Sequence, residues 1–309
     1  MRISCFFYAA LLMAGSASAQ PFQVQPTGKS YGTLADAVIA IGDGEAVISI
    51  APGTYRDCAV QTAGKITYRA EKPSTAVFDG GTCEGKATLV LRGRGAVVEG
   101  IVFQDLRVPD GNGAGIRIER GPLKVAESTF RNSESGILDG GGDQTSDIVI
   151  MNSTFSGLGG CHGGRSCAHA VYISSVRSLT VTGCLFHKGT GGHYLKSRAA
   201  QIFVDRTKFD DSDGRGTNYL IDLPDGSQGR ISGNLLVQGS NKENHMALIA
   251  VAAESRRNPS RDLVVANNRA RLAVPVSWTT YFIADSSGSV KRGVNDIGPG
   301  IQLSSPIAR

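Results

Sequence analysis

The densest run of groups able to do chemistry is Gly191-Gly192-His193-Tyr194-Leu195-Lys196-Ser197-Arg198-Ala199. It is followed by Gly216-Thr217-Asn218-Tyr219-Leu220-Ile221-Asp222-Leu223-Pro224-Asp225-Gly226. If Leu195 points into a core, strand alternation turns Tyr194, Lys196 and Arg198 to solvent. The same rule with Ile221 and Leu223 inward turns Asp222 out beside Lys196. The preceding run Ala170-Val171-Tyr172-Ile173-Ser174 adds Tyr172 and Ser174, and the following run from Leu248 adds Ala250 and, at its end, Glu254. Neighbouring strands lie about 4.8 Å apart. Tyr172, Tyr194, Lys196, Arg198 and Asp222 are therefore expected to share one patch, with the small Ser174 and Ala250 leaving room for a ligand above and below Lys196.

Such a patch suits proton removal beside a uronate carboxylate. That reaction needs a cation to neutralise the carboxylate, a base for the C5 proton and an acid for the leaving oxygen. Lys196, with the cationic Arg198 beside it, is the expected base. Arg198 offers a bidentate fork for the carboxylate, and Tyr194 or Tyr172 donates to the leaving oxygen. His193, Asn218, Tyr219, Asp225, His245 and Glu254 are the expected substrate-binding border. A hydrolase using Asp222 and Asp225 is the alternative, since inversion needs carboxylates roughly 6.5–9.5 Å apart, although Asp225-Gly226 also reads as a turn. A third reading is a glycan-binding or surface protein without chemistry, in which Lys196 and Asp222 form an exposed ion pair worth under about 1 kcal/mol. His169 lies in a loop near the patch. Asn241-Lys242-Glu243-Asn244-His245 reads as a solvated loop, and Asp210-Asp211-Ser212-Asp213-Gly214 as a turn without the distal glutamate of a calcium loop.

The elements that must position these groups repeat along the chain. An apolar residue, a small or polar residue three positions on and an apolar residue two further recur as Val98-Ile101-Phe103, Val125-Ser128-Phe130, Ile150-Ser153-Phe155, Val181-Cys184-Phe186, Val204-Thr207-Phe209, Ile231-Asn234-Leu236 and Val265-Asn268-Ala270. The intervals of 27, 25, 31, 23, 27 and 34 residues are too short for propeller blades and lack the leucine spacing of a horseshoe repeat. One rung of a β-solenoid per interval is the natural reading. Forty glycines and 6% aromatic residues fit a chain that turns often.

Arg2, an apolar run from Cys5 to Met13 and Ser16-Ala17-Ser18-Ala19 have the order of a cleavable secretory signal. The expectation is a secreted or periplasmic protein that begins near Gln20, with residues 20–309 as one domain, an irregular tail from about 284, and no membrane span. Five of the six cysteines then remain. Pairing Cys58 with Cys83 and Cys161 with Cys167 leaves Cys184 in an inward column with Ser128, Ser153, Thr207 and Asn234. A loop staple suits Cys161-His162 and Cys167-x-His169 better than zinc does. The net charge of +5 includes Arg2 and is spread without a basic run. Acidic polysaccharide is thus a better partner than nucleic acid, and the protein is expected to be monomeric.

Thr33 to Ala40 reads as a short amphipathic helix, followed by a strand Ala46 to Ile50 and Ala51-Pro52-Gly53-Thr54-Tyr55. Here the chain resembles the pectate-lyase-like right-handed parallel β-helix superfamily, which often opens with a capping helix and an A-P-G-T-Y rung. The resemblance runs from about residue 30 to about 272 and implies an all-β, right-handed parallel β-helix. Lys196-Ser197 is similar to the Lys-Ser pair that carries the base in the alginate and chondroitin lyase family. That likeness implies a polysaccharide lyase. The next rung of that family carries arginine and histidine where this chain has Ile221-Asp222-Leu223. The family's calcium ligands have no counterpart around Gly191 and Gly192, so no metal or other cofactor is assigned. Gly192-His193 with Lys196 and Arg198 faintly resembles the polygalacturonases, in different order and spacing.

Overall fold

The computed structural model describes residues 20–161 and 167–305. The expected signal segment, residues 1–19, and His162 lie outside them. The chain coils into three parallel sheets, one of 12 strands and two of 10. Successive strands in each sheet come from successive rungs, and only the pairings of the strand Phe22–Gln25 with Lys29–Tyr31 and Glu45–Ile50 are antiparallel. This is the expected parallel β-helix.

The sequence repeat has a local cause. In each rung the residue two after the last inward valine or isoleucine takes a left-handed conformation: Gly100, Glu127, Asn152, Gly183, Arg206, Gly233 and Asn267 all have φ between 46° and 71°. Glycine adopts this freely, while the others accept strain to turn a sharp corner. The next side chain is thrown inward, where it accepts a backbone N–H from the neighbouring rung. Ser128 Oγ accepts from Ile101, Ser153 Oγ from Ser128, Thr207 Oγ1 from Cys184, Asn234 Oδ1 from Thr207 and Asn268 Oδ1 from Asn234. Cys184 occupies one step of this ladder as the free thiol among the described residues, and burial pushes it up to about 11.

Two residues further on, Phe78, Phe103, Phe130, Phe155, Phe186 and Phe209 stack in register through the interior, with centroids 4.5 Å apart at the closest pair. Stacked rings of this kind contribute beyond their buried area. The helix Leu34–Ile41, capped by Thr33, buries Leu34, Ala37 and Val38 over the first rungs. The stretch expected to be an irregular tail is instead a further rung, because Lys291–Arg292, Asp296–Ile297 and Ile301–Ser304 each extend one sheet. Disulfides join Cys58 to Cys83 and Cys161 to Cys167. Among the described residues no helix is long and apolar enough to cross a membrane. Both facts are compatible with an extracellular or periplasmic protein.

Candidate functional site

The expected patch lies on the sheet built from Ala114–Ile118, Ser135–Asp139, Val171–Ile173, Leu195–Ser197, Ile221–Leu223 and Ala247–Val251. Its outward column runs Arg117, Leu138, Tyr172, Lys196, Asp222, Ala250 in register. The flanks of Lys196 are therefore Tyr172 and Asp222. Ala250 lies beyond Asp222, and Ser174 gives its N–H and hydroxyl to Asp139 at 3.1 and 2.6 Å. Two larger side chains, rather than the two small ones expected, therefore flank Lys196.

Lys196 is 13% exposed. Its Nζ lies 3.4 Å from Asp222 Oδ2, 3.0 Å from Glu254 Oε1 and 5.9 Å from the Tyr172 ring centroid. Its nearest charges are thus carboxylates, where the sequence led to expect a cation. Arg198 is likewise engaged on three sides. Its Nε donates to Tyr172 Oη at 3.0 Å, Nη1 to Asp225 Oδ1 at 2.7 Å and Nη2 to Glu254. The guanidinium fork that was to receive a ligand carboxylate already holds two protein carboxylates.

The two acids around Lys196 differ in environment. Asp222 is 3% exposed, and burial raises its carboxyl to about 6 against the opposing pull of Lys196. Glu254 is half exposed. Burial acts to raise it, but hydrogen bonds from Arg198 and Lys196 outweigh that and hold it below the usual range. Asp225 is buried, and its Oδ1 also accepts from Ser255 Oγ at 2.9 Å.

His193 Nε2 lies 3.1 Å from Asp222 Oδ2. Burial drives its imidazole well below the ordinary range, so it is neutral, and its buried Nδ1 has no hydrogen-bond partner among the described residues. His169 packs edge-on against both His193 and Tyr172, with centroids 4.8 and 5.6 Å away. Burial depresses it to about 3, and its Nδ1 accepts the His193 backbone N–H, which leaves the ring proton on Nε2. Tyr219 stands edge-on to His193, and Asn218 Nδ2 donates to Glu243 at 2.7 Å. His245 is exposed and packs on Trp278 with centroids 4.7 Å apart.

Tyr194 corrects the sequence expectation. It is 2% exposed within the core, gives its hydroxyl to Asp211 Oδ1 at 2.8 Å and accepts the Gly189 N–H. Burial and the adjacent Asp211 push its phenol far up, so it donates nothing to a ligand. Alternation fails here because each rung enters this sheet with two consecutive inward residues, Ala170-Val171, Tyr194-Leu195, Leu220-Ile221 and Leu248-Ile249, none more than 2% exposed. In the loop read as solvated, Asn241, Glu243 and His245 are exposed as expected, and the Lys242 side chain is the exception. The Lys242 side chain is 1% exposed and paired to the wholly buried Asp211 at 3.0 Å, with Thr217 Oγ1 at 3.0 Å.

An open groove of about 500 Å³ runs beside the column, and its lining includes Arg117, Ser135, His169, Tyr172, Lys196 and Arg198. Sequence reasoning missed Arg117 and Ser135. Arg117 reads as one polar residue in an apolar strand, and the rungs that make it notable lie far away in sequence. Among the described residues, the grouping nearest a metal-ligand set is Cys161, Cys167 and Glu243, in which both thiols are consumed by the disulfide.

No curated protein and no solved structure matches the chain. The family model described as the right handed beta helix region matches residues 114–287, the stretch that carries all of the groove lining but Asn112. With more than half its length matched and the rungs stacked as described, the chain belongs to the right-handed β-helix family.

Proposed function

We propose that this chain is a carbohydrate-active β-helix that binds acidic polysaccharide in the groove and cleaves it by β-elimination at uronate residues. One observation carries the reading: Lys196, Arg198 and Arg117 line the same groove as the Tyr172 hydroxyl and the neutral His169. A cation-lined cleft beside proton-transfer groups suits a polyanion whose charge grows as the C5 proton leaves.

The geometry redistributes the roles expected from sequence. Lys196 donates to Glu254 and pairs with Asp222 at 3.4 Å, and its ammonium still has N–H donors to neutralise the substrate carboxylate. Arg198 is a positioning residue that fixes Tyr172, Asp225 and Glu254. Tyr172 Oη accepts from Arg198 and takes the proton-transfer role first given to Lys196. In elimination the C5 proton passes to Tyr172 Oη, the C5–H electrons form the C4=C5 double bond, the C4–O bond breaks with its electrons on oxygen, and Tyr172 returns that proton to the leaving oxygen.

A hydrolase is the second reading, and a specific observation favours it. Asp222 and Glu254 share Lys196 while their environments push them apart, one towards the acid and one towards the ionised form, which is the pattern of an acid and its partner base. Glu254 would then replace Asp225, which Arg198 and Ser255 hold. Incubation with a panel of acidic and neutral polysaccharides separates the readings. Elimination produces ultraviolet absorbance from the unsaturated sugar together with reducing ends, whereas hydrolysis produces reducing ends alone. Binding without either product would leave a glycan-binding protein.

A further inference from the structure

The far end of the groove holds polar groups that the fold does not use. Arg117 makes no hydrogen bond or ion pair to any described residue, and its Nε is buried without a partner. Ser135 is 1% exposed, and its Oγ is likewise buried without a partner among the described residues. Both line the groove, together with Asn112. Buried polar atoms in native proteins are nearly always paired, so two orphans facing one cleft indicate an acceptor supplied from outside.

The backbone makes room for that acceptor. Arg117 lies across Gly140 of the next rung, where a Cβ would stand 2.1 Å from Nη2. Any side chain at 140 would displace the guanidinium. Three register steps separate Arg117 from Lys196, and the lean over Gly140 recovers one of them. About 10 Å then remains between the two cations along the groove, more than a single sugar ring covers. Leu138 and Tyr172 floor the interval, and their apolar surfaces suit the C–H face of a pyranose.

Resting on the acidic-glycan reading, we infer that Arg117, Ser135 and Asn112 form a second subsite, which grips the anionic group of a sugar remote from Lys196. The ligand is an oligosaccharide carrying more than one acidic ring. Arg117 presents its fork to a carboxylate or sulfate, and Ser135 donates its hydroxyl.

Affinity electrophoresis tests this with gels containing sodium polygalacturonate, sodium alginate or chondroitin sulfate, and dextran as the neutral control. The wild-type chain is expected to be retarded by at least one polyanion and not by dextran. Arg117→Ala should weaken that affinity by about ten- to hundredfold, the worth of a charge-assisted contact. Arg117→Lys should fall between, since an ammonium keeps the charge and loses the fork. Ser135→Ala should cost about two- to tenfold and carries the test if Arg117→Ala does not fold. Retardation by polygalacturonate or alginate assigns a carboxylate, and by chondroitin sulfate alone a sulfate. No retardation by any polyanion, equal retardation by dextran, or wild-type affinity in Arg117→Ala and Ser135→Ala overturns the subsite. Binding through Arg117 without cleavage of any polymer would instead sink the elimination reading and leave the subsite standing.

Discussion

Replacing Asp222 by Asn removes a carboxyl titration that burial in the site shifts upward. In the folded chain this carboxyl sits at about 6, against 3.8 for the free side chain. Below about pH 4 it is protonated whether the chain is folded or not, and stability does not depend on it. Between about pH 4 and 6 the unfolded chain releases the proton while the folded chain holds it. Each pH unit in that window therefore lowers stability by about 1.4 kcal/mol, for a total near 3 kcal/mol by pH 7. This contribution is full at low pH and lost as pH rises, the reverse of a carboxylate whose native pKa is depressed. Asp222→Asn abolishes the slope, so relative to wild type the variant should gain about 3 kcal/mol between pH 4 and pH 7. Urea unfolding followed by circular dichroism, run on both proteins at several pH values, reads the difference. Parallel curves, or a variant that loses ground as pH rises, would show that Asp222 is not held in the acid form by burial. The same variant divides the two chemistries: an acid catalyst of hydrolysis would lose nearly all turnover, whereas elimination with Asp222 orienting Lys196 should keep a measurable fraction.

Lys196→Ala should reduce kcat by about a hundredfold or more while KM changes little, because the carboxylate charge it offsets grows in the transition state; equal losses in binding and turnover would remove it from the chemistry. Arg198→Lys should impair both parameters, since one ammonium cannot serve Tyr172, Asp225 and Glu254 together. Phe155→Ala should cost about 3–5 kcal/mol by urea unfolding, because the ring lies between Phe130 and Phe186 at 4.9 and 4.5 Å in a closed stack. Cys184→Ser should cost under about 1.5 kcal/mol, since serine already fills that ladder position in the two preceding rungs; peptide mapping that finds Cys184 in a disulfide would contradict the ladder.

The rung architecture was legible because one residue pattern encodes three consecutive events: an inward aliphatic, a left-handed corner with an inward hydrogen-bonding side chain, and a ring for the stack. The register of Lys196 beside Asp222 followed from alternation, but the carboxyl expected to face solvent is 3% exposed. Tyr194 went the other way because alternation describes a straight strand, and the turn before each strand on this sheet inserts a second inward residue. Lys242 carries a charge, and charge in a glycine-poor loop reads as solvated. Its burial depends on Asp211, 31 residues earlier, which no local pattern couples to it. Arg117 escaped for a related reason, since its significance lies in what is missing around it.

Rungs in a solenoid touch only their neighbours, so the interior ladder and ring stack can repeat while the groove sheet carries residues chosen for other reasons. The Phe stack and the ladder lie on other sheets than Lys196 and Asp222, and no side chain of theirs reaches those groups through a described hydrogen bond. Asp211 is where the two systems join. Its carboxylate receives Tyr194, Thr217 and Lys242, and Thr217 bridges to Gly192, the residue before His193. The corner that delivers His193 to Asp222 therefore rests on a buried ion pair rather than on the repeat. Removing one partner of such a pair leaves an uncompensated charge and typically costs about 3–5 kcal/mol. That cost falls on the segment holding His193 and Tyr194, while the aromatic stack beyond it is left to its own contacts.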